Sequence, residues 1–313
     1  MAAAYNPNDS FPPLSNDQLS HYFTRIKVHE PISNLKPTLQ TLNLILDAHS
    51  KTIPFENCPT FFTKCDIPID LESLVSKLVD GNRGGYCFEN NILLLSVLLA
   101  LGFHTSSGVA RSAKWNTDLK KQIYGGTTHM IVFVDLGEEG LHLADLGYNY
   151  IGLTRAIRIA EGETVESAAG EMHQMRSANV TGPGNWMLHH KRAVGSPLAD
   201  GVDSEGDLFG PHYYFTLERF RPQDYVGYNF FVSQSPTFVL QTSLMVSMVS
   251  ETGGRVMITD KTFKRRESAV FRHLECITKL ENVEMLVHIL QTVFGIELSE
   301  REKERAHTHA FFN

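Results

Sequence analysis

Residues 83–91 read RGGYCFENN, and the apolar run ILLLSVLLALGF follows directly over residues 92–103. A run of this length is too short to span a bilayer and is typical of a buried core helix. Cys87 therefore lies directly after a glycine pair and one aromatic residue, at the predicted start of that helix. The helix dipole favours an anion there by about 0.3–1 kcal/mol, which is too little to activate a thiol by itself.

A partner for the Cys87 thiol is therefore required, because the thiolate is the reactive form of cysteine. An imidazolium neighbour lowers thiol pKa values far more than a helix end does. Most cysteines of cytosolic enzymes only pack, and this interpretation is kept for Cys58, Cys65 and Cys276. Cys87 differs from them only if a histidine and an orienting acid can be found.

The segment THMIVFVDLGEEGLHLADLGY at 128–148 supplies both groups. Its alternation and its β-branched residues predict two strands joined by a turn at 137–140. A turn of about three residues sets His129 opposite Gly147 and makes Asp145 its diagonal neighbour on the same face. The pattern predicts a carboxylate–imidazole pair, although a histidine that only packs is an equally simple interpretation.

The remaining periodicity separates an N-terminal helical part from later strands. Apolar spacing and capping residues predict one helix after an N-cap at Ser15 or Asn16, a second from 39 to about 49, and a third between Asp70 and Gly81. Later segments predict a loop with a short strand about Trp186, strands in YYFTLERF (213–220) and FFVSQSPTFVLQTSLMVSMVS (230–250), and a final amphipathic helix in ENVEMLVHILQTVFGI (281–296).

Composition excludes several classes of protein. The 313 residues are 42% hydrophobic and 20% charged, which is ordinary for a globular chain. The four cysteines form no CxxC pair, so neither a zinc site nor a disulfide framework is expected. A net charge of −7 argues against nucleic acid as a partner. The N-terminus has no secretory pattern and no run reaches membrane-spanning length, so we expect a cytoplasmic protein without membrane or obligate protein partners.

These motifs resemble those of the arylamine N-acetyltransferases. The resemblance is carried by RGGYCFENN, by IPFEN at 53–57, by TH at 128–129, by ADLGY at 144–148 and by NFFVSQSPT at 229–237. It implies an α+β fold in three parts: a helical bundle at 1–102 with the nucleophile, a β-barrel at 103–217 with the histidine and the acid, and an α/β lid at 218–313. The Gly- and Asp-rich stretch at 193–211 would be an added interdomain loop.

The resemblance also implies roles for individual residues. Cys87 would be the nucleophile, His129 its base and acid, and Asp145 the group that orients the imidazole. An acyl group would pass from coenzyme A to Cys87 and then to an arylamine, arylhydrazine or arylhydroxylamine, with no metal. Further implied residues are the acceptor wall of Phe55 and Tyr148, the coenzyme A contacts Gly126, Thr127, Ser235 and Thr237, and the buried charged pair of Arg83 and Glu56.

Some features leave alternatives open. The chain has DLGYN where many relatives have DVGFG, so Asn149 replaces a glycine and acceptor preference is not fixed. The acyl donor can be an acetyl, propionyl or malonyl thioester. Two interpretations of the basic run at 261–266 are open: its side chains form a solvated surface, or they contact the phosphates of coenzyme A. A transglutaminase-type hydrolase or amide-forming enzyme shares the order Cys, His, Asp, whereas the CGSCW motif of papain-like enzymes is absent.

Overall fold

The computed structural model describes residues 10–116, 121–149, 151–191, 209–267 and 275–309. The predicted interdomain loop at 193–211 lies almost entirely outside these residues. The described residues form helices and two antiparallel sheets, which is an α+β fold.

Helices dominate the first hundred residues, as predicted. They are α1 (Asn16–Arg25), α2 (Leu39–Ser50), α3 (Leu71–Leu74) with a π-helical continuation over Val75–Asp80, and α4 (Cys87–Ala100). The Ser15 side chain caps α1 by accepting a hydrogen bond from the Gln18 N–H at 3.2 Å. Asp70 caps α3 in the same way through the Ser73 N–H at 2.9 Å.

Helix α4 is the centre of the largest core. Every residue from Cys87 to Leu98 is buried, because α1, α3 and the barrel strands surround the helix. Its apolar run therefore reflects burial on all sides and not a membrane segment. Among the described residues no helix combines the length and apolar character that crossing a bilayer requires.

The larger sheet forms a nearly closed barrel. Its strands are β2 (His104–Asn116), β3 (Lys121–Tyr124), β4 (His129–Asp135), β5 (Leu141–Ala144), β6 (Ile157–Arg158), β7 (Thr164–Glu166), β8 (Met172–Ala178), β9 (Asn185–Lys191) and β10 (Phe209–Phe215). The order is β6-β5-β4-β2-β10-β9-β8-β7, β3 pairs with β2, and β6 approaches β8. The hairpin predicted at 128–148 is confirmed as β4 and β5. β9 extends well beyond the short strand predicted about Trp186.

The smaller sheet combines one strand from the N-terminal part of the chain with four strands from the C-terminal part. Its order is β1 (Phe55–Glu56), β11 (Met245–Val249), β12 (Arg255–Thr259), β13 (Thr262–Arg266) and β14 (Glu275–Lys279). The predicted final helix is confirmed as α7 (Val283–Phe294), which buries its apolar face with this sheet, and α8 (Glu300–Thr308) follows it. Because β1 pairs with β11 and Phe55 is bridged to Gly85, the cysteine motif is connected to the C-terminal sheet.

The strand predicted over residues 230–250 is wrong in its first part. That part belongs to α5 (Pro222–Gln234) and α6 (Val239–Thr242), and only β11 is a strand. Proline occupies the first position of α5, and the Asp224 carboxylate accepts from the Arg221 N–H at 2.7 Å. These start signals outweigh the β-propensity of the aromatic and valine residues that follow.

Candidate active site

The glycine pair brings the cysteine turn into close contact with neighbouring backbone. A Cβ on Gly84 would lie 2.1 Å from the Pro54 carbonyl oxygen, and one on Gly85 would lie 2.6 Å from Cβ of Glu89. Larger residues would push the turn away from β1 and α4. The turn is followed by Cys87, which is the first residue of α4. The backbone N–H groups at this end of the helix have no partners within the helix.

A buried ion network fixes the same turn. The Arg83 guanidinium donates to the Glu56 carboxylate at 2.8 and 3.0 Å, and it also donates to Glu302 of α8 at 3.0 Å. Burial raises the pKa of Glu56, but the charges of Arg83 and Lys77, together with hydrogen bonds from Arg83 and Cys58, outweigh burial and lower it. The pair of Arg83 and Glu56 is therefore present beside the turn, and a second carboxylate from the C-terminal helix completes it.

The hairpin brings His129 and Asp145 together. The register pairs Val132 with Ala144, and its continuation sets His129 opposite Gly147, as the turn length predicts. β5 ends at Ala144, so the Asp145 carboxylate leaves the ladder and bonds His129 directly. The distance between His129 Nε2 and Asp145 Oδ2 is 2.7 Å.

The Asp145 carboxylate has three further donors. Oδ1 accepts from Asn91 Nδ2 and from the Gly147 N–H, each at 2.9 Å, and Oδ2 accepts from the Tyr213 hydroxyl at 2.9 Å. Burial raises the pKa of this carboxyl, but His129 and these hydrogen bonds outweigh burial and lower it. The group is an oriented, ionised acid.

His129 carries the complementary shift. Burial lowers the pKa of its imidazole, but the Asp145 carboxylate outweighs burial and raises that pKa to about 10, with a hydrogen bond to Cys87 contributing. Because Nε2 bonds Asp145, Nδ1 is the ring nitrogen available to the sulfur. Cys87 Sγ also donates to the Thr128 carbonyl at 3.6 Å. The imidazole therefore lies against a buried carboxylate, on a strand whose preceding residue contacts the cysteine sulfur, and this arrangement suits nucleophilic catalysis.

The two residues predicted for the acceptor wall have different neighbours. Tyr148 is half-buried, with its ring 4.9 Å from that of His129 and 4.0 Å from that of His212, measured between centroids. Phe55 lies on β1, bridged to Gly85, and belongs to the core that contains Cys87. Tyr148 thus contacts the His129 ring directly, whereas Phe55 is connected to the cysteine turn through its bridge to Gly85.

The residues predicted for coenzyme A occupy two loops. Gly126 is exposed and Thr127 half-buried, and their loop continues into Thr128, whose carbonyl contacts the sulfur. Ser235 and Thr237 follow α5, with their hydroxyl oxygens 3.5 Å apart. The basic run at 261–266 forms β13 in the smaller sheet, and its Arg266 bonds Glu171.

The sequence analysis missed two residues that hold the acid, Asn91 and Tyr213. Asn91 follows Cys87 by one helical turn and directly precedes the apolar run of α4, and a polar residue predicted to be buried there signals a required hydrogen bond. No comparable signal identifies Tyr213, because it lies 68 residues from Asp145 in the chain. Among the described residues, no group of three or more His, Cys, Asp and Glu side chains is arranged to hold a metal ion.

Known proteins share this arrangement of elements. Residues 38–303 match the family described as N-acetyltransferase. An arylamine N-acetyltransferase of Escherichia coli is 28% identical over 285 residues, which are 90% of each chain. An N-malonyltransferase of Gibberella moniliformis is 28% identical over 85% of this chain and 80% of its own. The Mycobacterium marinum arylamine N-acetyltransferase, solved in complex with CoA, superposes with a TM-score of 0.76 at 25% identity over 93% of this chain and 98% of its own.

Proposed function

The chain belongs to the N-acetyltransferase family, and from this premise we propose that it is an arylamine N-acyltransferase whose Cys87, His129 and Asp145 move a short acyl group from coenzyme A to an aromatic amine. The observation that carries the proposal is the 2.7 Å hydrogen bond between His129 Nε2 and Asp145 Oδ2, on a strand whose preceding residue, Thr128, accepts a hydrogen bond from Cys87 Sγ through its carbonyl. A histidine that only packs does not need a buried carboxylate that three further donors hold in one orientation.

In the first half-reaction, the thiolate of Cys87 attacks the carbonyl carbon of the acyl thioester. A bond forms between Sγ and that carbon, and the bond from the carbon to the coenzyme sulfur breaks. His129 is the proton source for the departing sulfur, because the raised pKa of its imidazole keeps it protonated at neutral pH. The half-reaction leaves acyl-Cys87 and neutral His129.

In the second half-reaction, the amine nitrogen attacks the acyl-Cys87 carbonyl. Neutral His129 takes the proton that this nitrogen loses, and the carbon–sulfur bond breaks to regenerate the thiolate. Asp145 holds the ring in one orientation through both halves and stabilises the imidazolium. The proton thus returns to its starting place, and the enzyme is ready for another donor.

The three-part division of the chain supports this route. The proposed parts are a helical part (1–102), a barrel part (103–217) and an α/β lid (218–313). Their boundaries fall just after α4 and just after β10. Cys87 then comes from the first part and the histidine and acid from the second. The third part supplies Glu302 to the cysteine turn and the loop of Ser235 and Thr237, for which we propose coenzyme contacts. Phe55 and Tyr148 would bound the aromatic acceptor, because aryl rings can pack against both.

The test compares the release of free coenzyme A from acetyl-CoA in the presence and in the absence of an aromatic amine. We expect free coenzyme A to appear rapidly from acetyl-CoA only when an aniline is present, together with an acyl adduct on Cys87 detected by mass spectrometry. Rapid release without the amine would indicate a thioesterase, and no acylation at all would refute a coenzyme A enzyme. Cys87→Ala is the control, and an adduct that survives this change would contradict the assigned nucleophile.

A further inference from the structure

His212 is a buried histidine of β10 that the proposed mechanism does not use. It is 3% exposed, and its ring centroid lies 4.0 Å from that of Tyr148, with an angle of 50° between the ring planes. The Tyr148 ring also meets the His129 ring edge-on, with their centroids 4.9 Å apart. Tyr148 therefore packs against two imidazoles, of which only His129 takes part in the proposed transfer.

A β-bulge turns the His212 ring towards the interior of the barrel. The register of β10 against β9 shifts between Pro211 and Tyr213, so His212 has no paired residue on β9. In a regular strand His212 would face away from Tyr213, which packs in the barrel core. The extra residue interrupts this alternation. The rings of His212 and Tyr213 lie 5.1 Å apart instead, and both contact Tyr148.

Two neighbouring histidines confirm that His212 lies inside the barrel. The His212 ring is 6.1 Å from the rings of His173 and His190. Met175 and Leu188, which pack in the barrel core, lie two residues from His173 and His190, respectively. Alternation therefore places both histidines on the inner face of the sheet, and His212 joins them at the end of the barrel that carries Tyr148.

The backbone that follows Tyr148 is held by other groups. His173 Nε2 donates to the Ile151 carbonyl at 2.9 Å, and the Arg255 guanidinium donates to the Gly152 carbonyl. Neither of these hydrogen bonds involves His212. Removal of the His212 ring should therefore change the orientation of the Tyr148 side chain more than the path of its backbone.

The contact of His212 with Tyr148 is one of packing. His212 Nε2 is buried and has no hydrogen-bond partner among the residues that the structure describes. Burial lowers the pKa of this imidazole well below its usual range, and the charges of neighbouring histidines act in the same direction, so the ring is neutral at pH 7. An apolar aromatic ring of similar size could therefore make the same contact.

We propose that His212 is a positioning residue for the amine acceptor, because its ring holds the Tyr148 ring in the orientation against which the aryl ring of the acceptor packs. The inference rests on the proposed function, in which Tyr148 bounds the acceptor. Hydrazine is a nucleophile without an aryl ring and makes no use of that wall. His212 should therefore favour transfer to an aromatic amine over transfer to hydrazine.

The experiment lets these two acceptors compete for one acyl-enzyme. Acetyl-Cys87 is formed with acetyl-CoA and freed of excess donor, aniline and hydrazine are added together, and the ratio of acetanilide to acetylhydrazine is measured. Both acceptors react with the same folded molecules, so the ratio does not depend on how much of a variant folds. His212→Ala should lower the ratio about 10-fold, the order of magnitude of one aromatic packing contact, and His212→Phe should restore most of it.

A double variant shows whether His212 acts through Tyr148. If it does, His212→Ala should lower the ratio in the unmodified chain and leave it unchanged in Tyr148→Ala. A further loss of similar size in the double variant would mean that His212 reaches the acceptor by another route, and the positioning role would be overturned.

His142→Ala is the matched control. His142 is buried on β5, but it faces away from the barrel core, in which its neighbour Leu143 packs, and it should leave the ratio unchanged. An unchanged ratio in His212→Ala, or equal losses in His212→Ala and His212→Phe, would overturn the inference, since the ring would then not support Tyr148. The proposed function would survive these outcomes, because acetyl-Cys87 still forms. Only failure of the unmodified chain to form acetyl-Cys87 would overturn both.

Discussion

Asn91 and Asp145 are joined by a hydrogen bond of 2.9 Å between Nδ2 and Oδ1, and Asn91 lies one helical turn after Cys87 on α4. The helix that presents the sulfur thus also holds the carboxylate that orients the imidazole. Asn91 Nδ2 donates to the Met130 carbonyl as well, at 2.7 Å, and Asn91 Oδ1 accepts from the Leu146 N–H at 2.9 Å. One amide therefore fixes helix, strand and acid relative to one another.

Asn91→Ala should reduce turnover and stability together. The change removes a donor to an ionised group and leaves the Leu146 N–H buried without its partner, so we expect about 2–3 kcal/mol of destabilisation and a 10- to 100-fold lower kcat. Urea unfolding and initial rates measure the two effects. Ser96→Ala is the control on the same helix, because the buried Ser96 hydroxyl has no hydrogen-bond partner among the residues that the structure describes. Equal effects of the two changes would show that burial, and not the bond to Asp145, decides the outcome.

The ion pair of His129 and Asp145 predicts a pH dependence of stability. The pKa of His129 rises from 6.5 to about 10 on folding, so its contribution is complete below about pH 6.5 and is lost as the pH rises through about 10. The lowered pKa of Asp145 makes its contribution complete above about pH 3.8 and lost only as the pH falls further. Both contributions are therefore complete from about pH 4 to 6.5, and in this range the pair should stabilise the fold most.

Asp145→Asn tests this dependence. The difference in unfolding free energy between the unmodified chain and the variant should shrink as the pH rises from 6.5 towards 10, by at most about 1.4 kcal/mol per pH unit. Turnover of the variant should fall strongly, because the amide no longer stabilises the imidazolium. A stability difference that grows over the same pH range would contradict the assigned direction of the His129 shift, and near-normal turnover would remove Asp145 from the mechanism.

Gly147 has no room for a side chain. A Cβ there would lie 2.4 Å from Cα of Cys87 and 2.7 Å from Asn91 Nδ2, so Gly147→Ala must displace Cys87 or its helix. Displacements of about 1 Å cost on the order of 100-fold in rate, and we expect that loss in the acylation of Cys87. Gly227→Ala on α5 meets no atom within 4 Å and should instead stabilise the chain slightly. Normal acylation of Gly147→Ala would mean that the turn tolerates displacement.

The local features of the site were predictable and its long-range contacts were not. The alternation and turn of residues 128–148 determine the register that brings His129 to Asp145, because both signals are local. Tyr213 reaches the same carboxylate only through the closure of the barrel, and no local pattern reports that closure. The strand predicted over the first part of 230–250 failed because Pro222, which starts α5, lies upstream of the residues that suggested a strand.

Glu302 should stabilise the cysteine turn from the far end of the chain. Glu302 is 3% exposed, and its carboxylate accepts a hydrogen bond from Arg83. In Glu302→Gln the buried charge of Arg83 would lose one of its two anionic partners. We expect about 3 kcal/mol of destabilisation, because breaking a buried ion pair leaves a buried charge. Glu304→Gln, on an exposed position of the same helix, should change the unfolding free energy by less than about 0.5 kcal/mol. Comparable losses in both variants would show that the helix, and not the ion pair, is responsible.

Alkylation separates chemical activation of a thiol from its exposure. Cys276 is exposed, Cys65 is half-buried, and Cys87 is only 6% exposed, so accessibility alone predicts that iodoacetamide labels Cys276 first. Burial raises the pKa of the Cys58 thiol, which should be the slowest. If His129 activates Cys87, this cysteine should instead be labelled first at pH 7, as measured by peptide mass spectrometry.

His129→Gln is the matched variant for this measurement. It keeps a polar side chain but cannot become a cation, so labelling of Cys87 at pH 7 should slow, while labelling of Cys276 stays the same. The unchanged Cys276 rate serves as the internal standard for folding and reagent. Faster labelling of Cys276 than of Cys87 in the unmodified chain would mean that the imidazole does not activate the sulfur, and the proposed acyl transfer would lose its nucleophile.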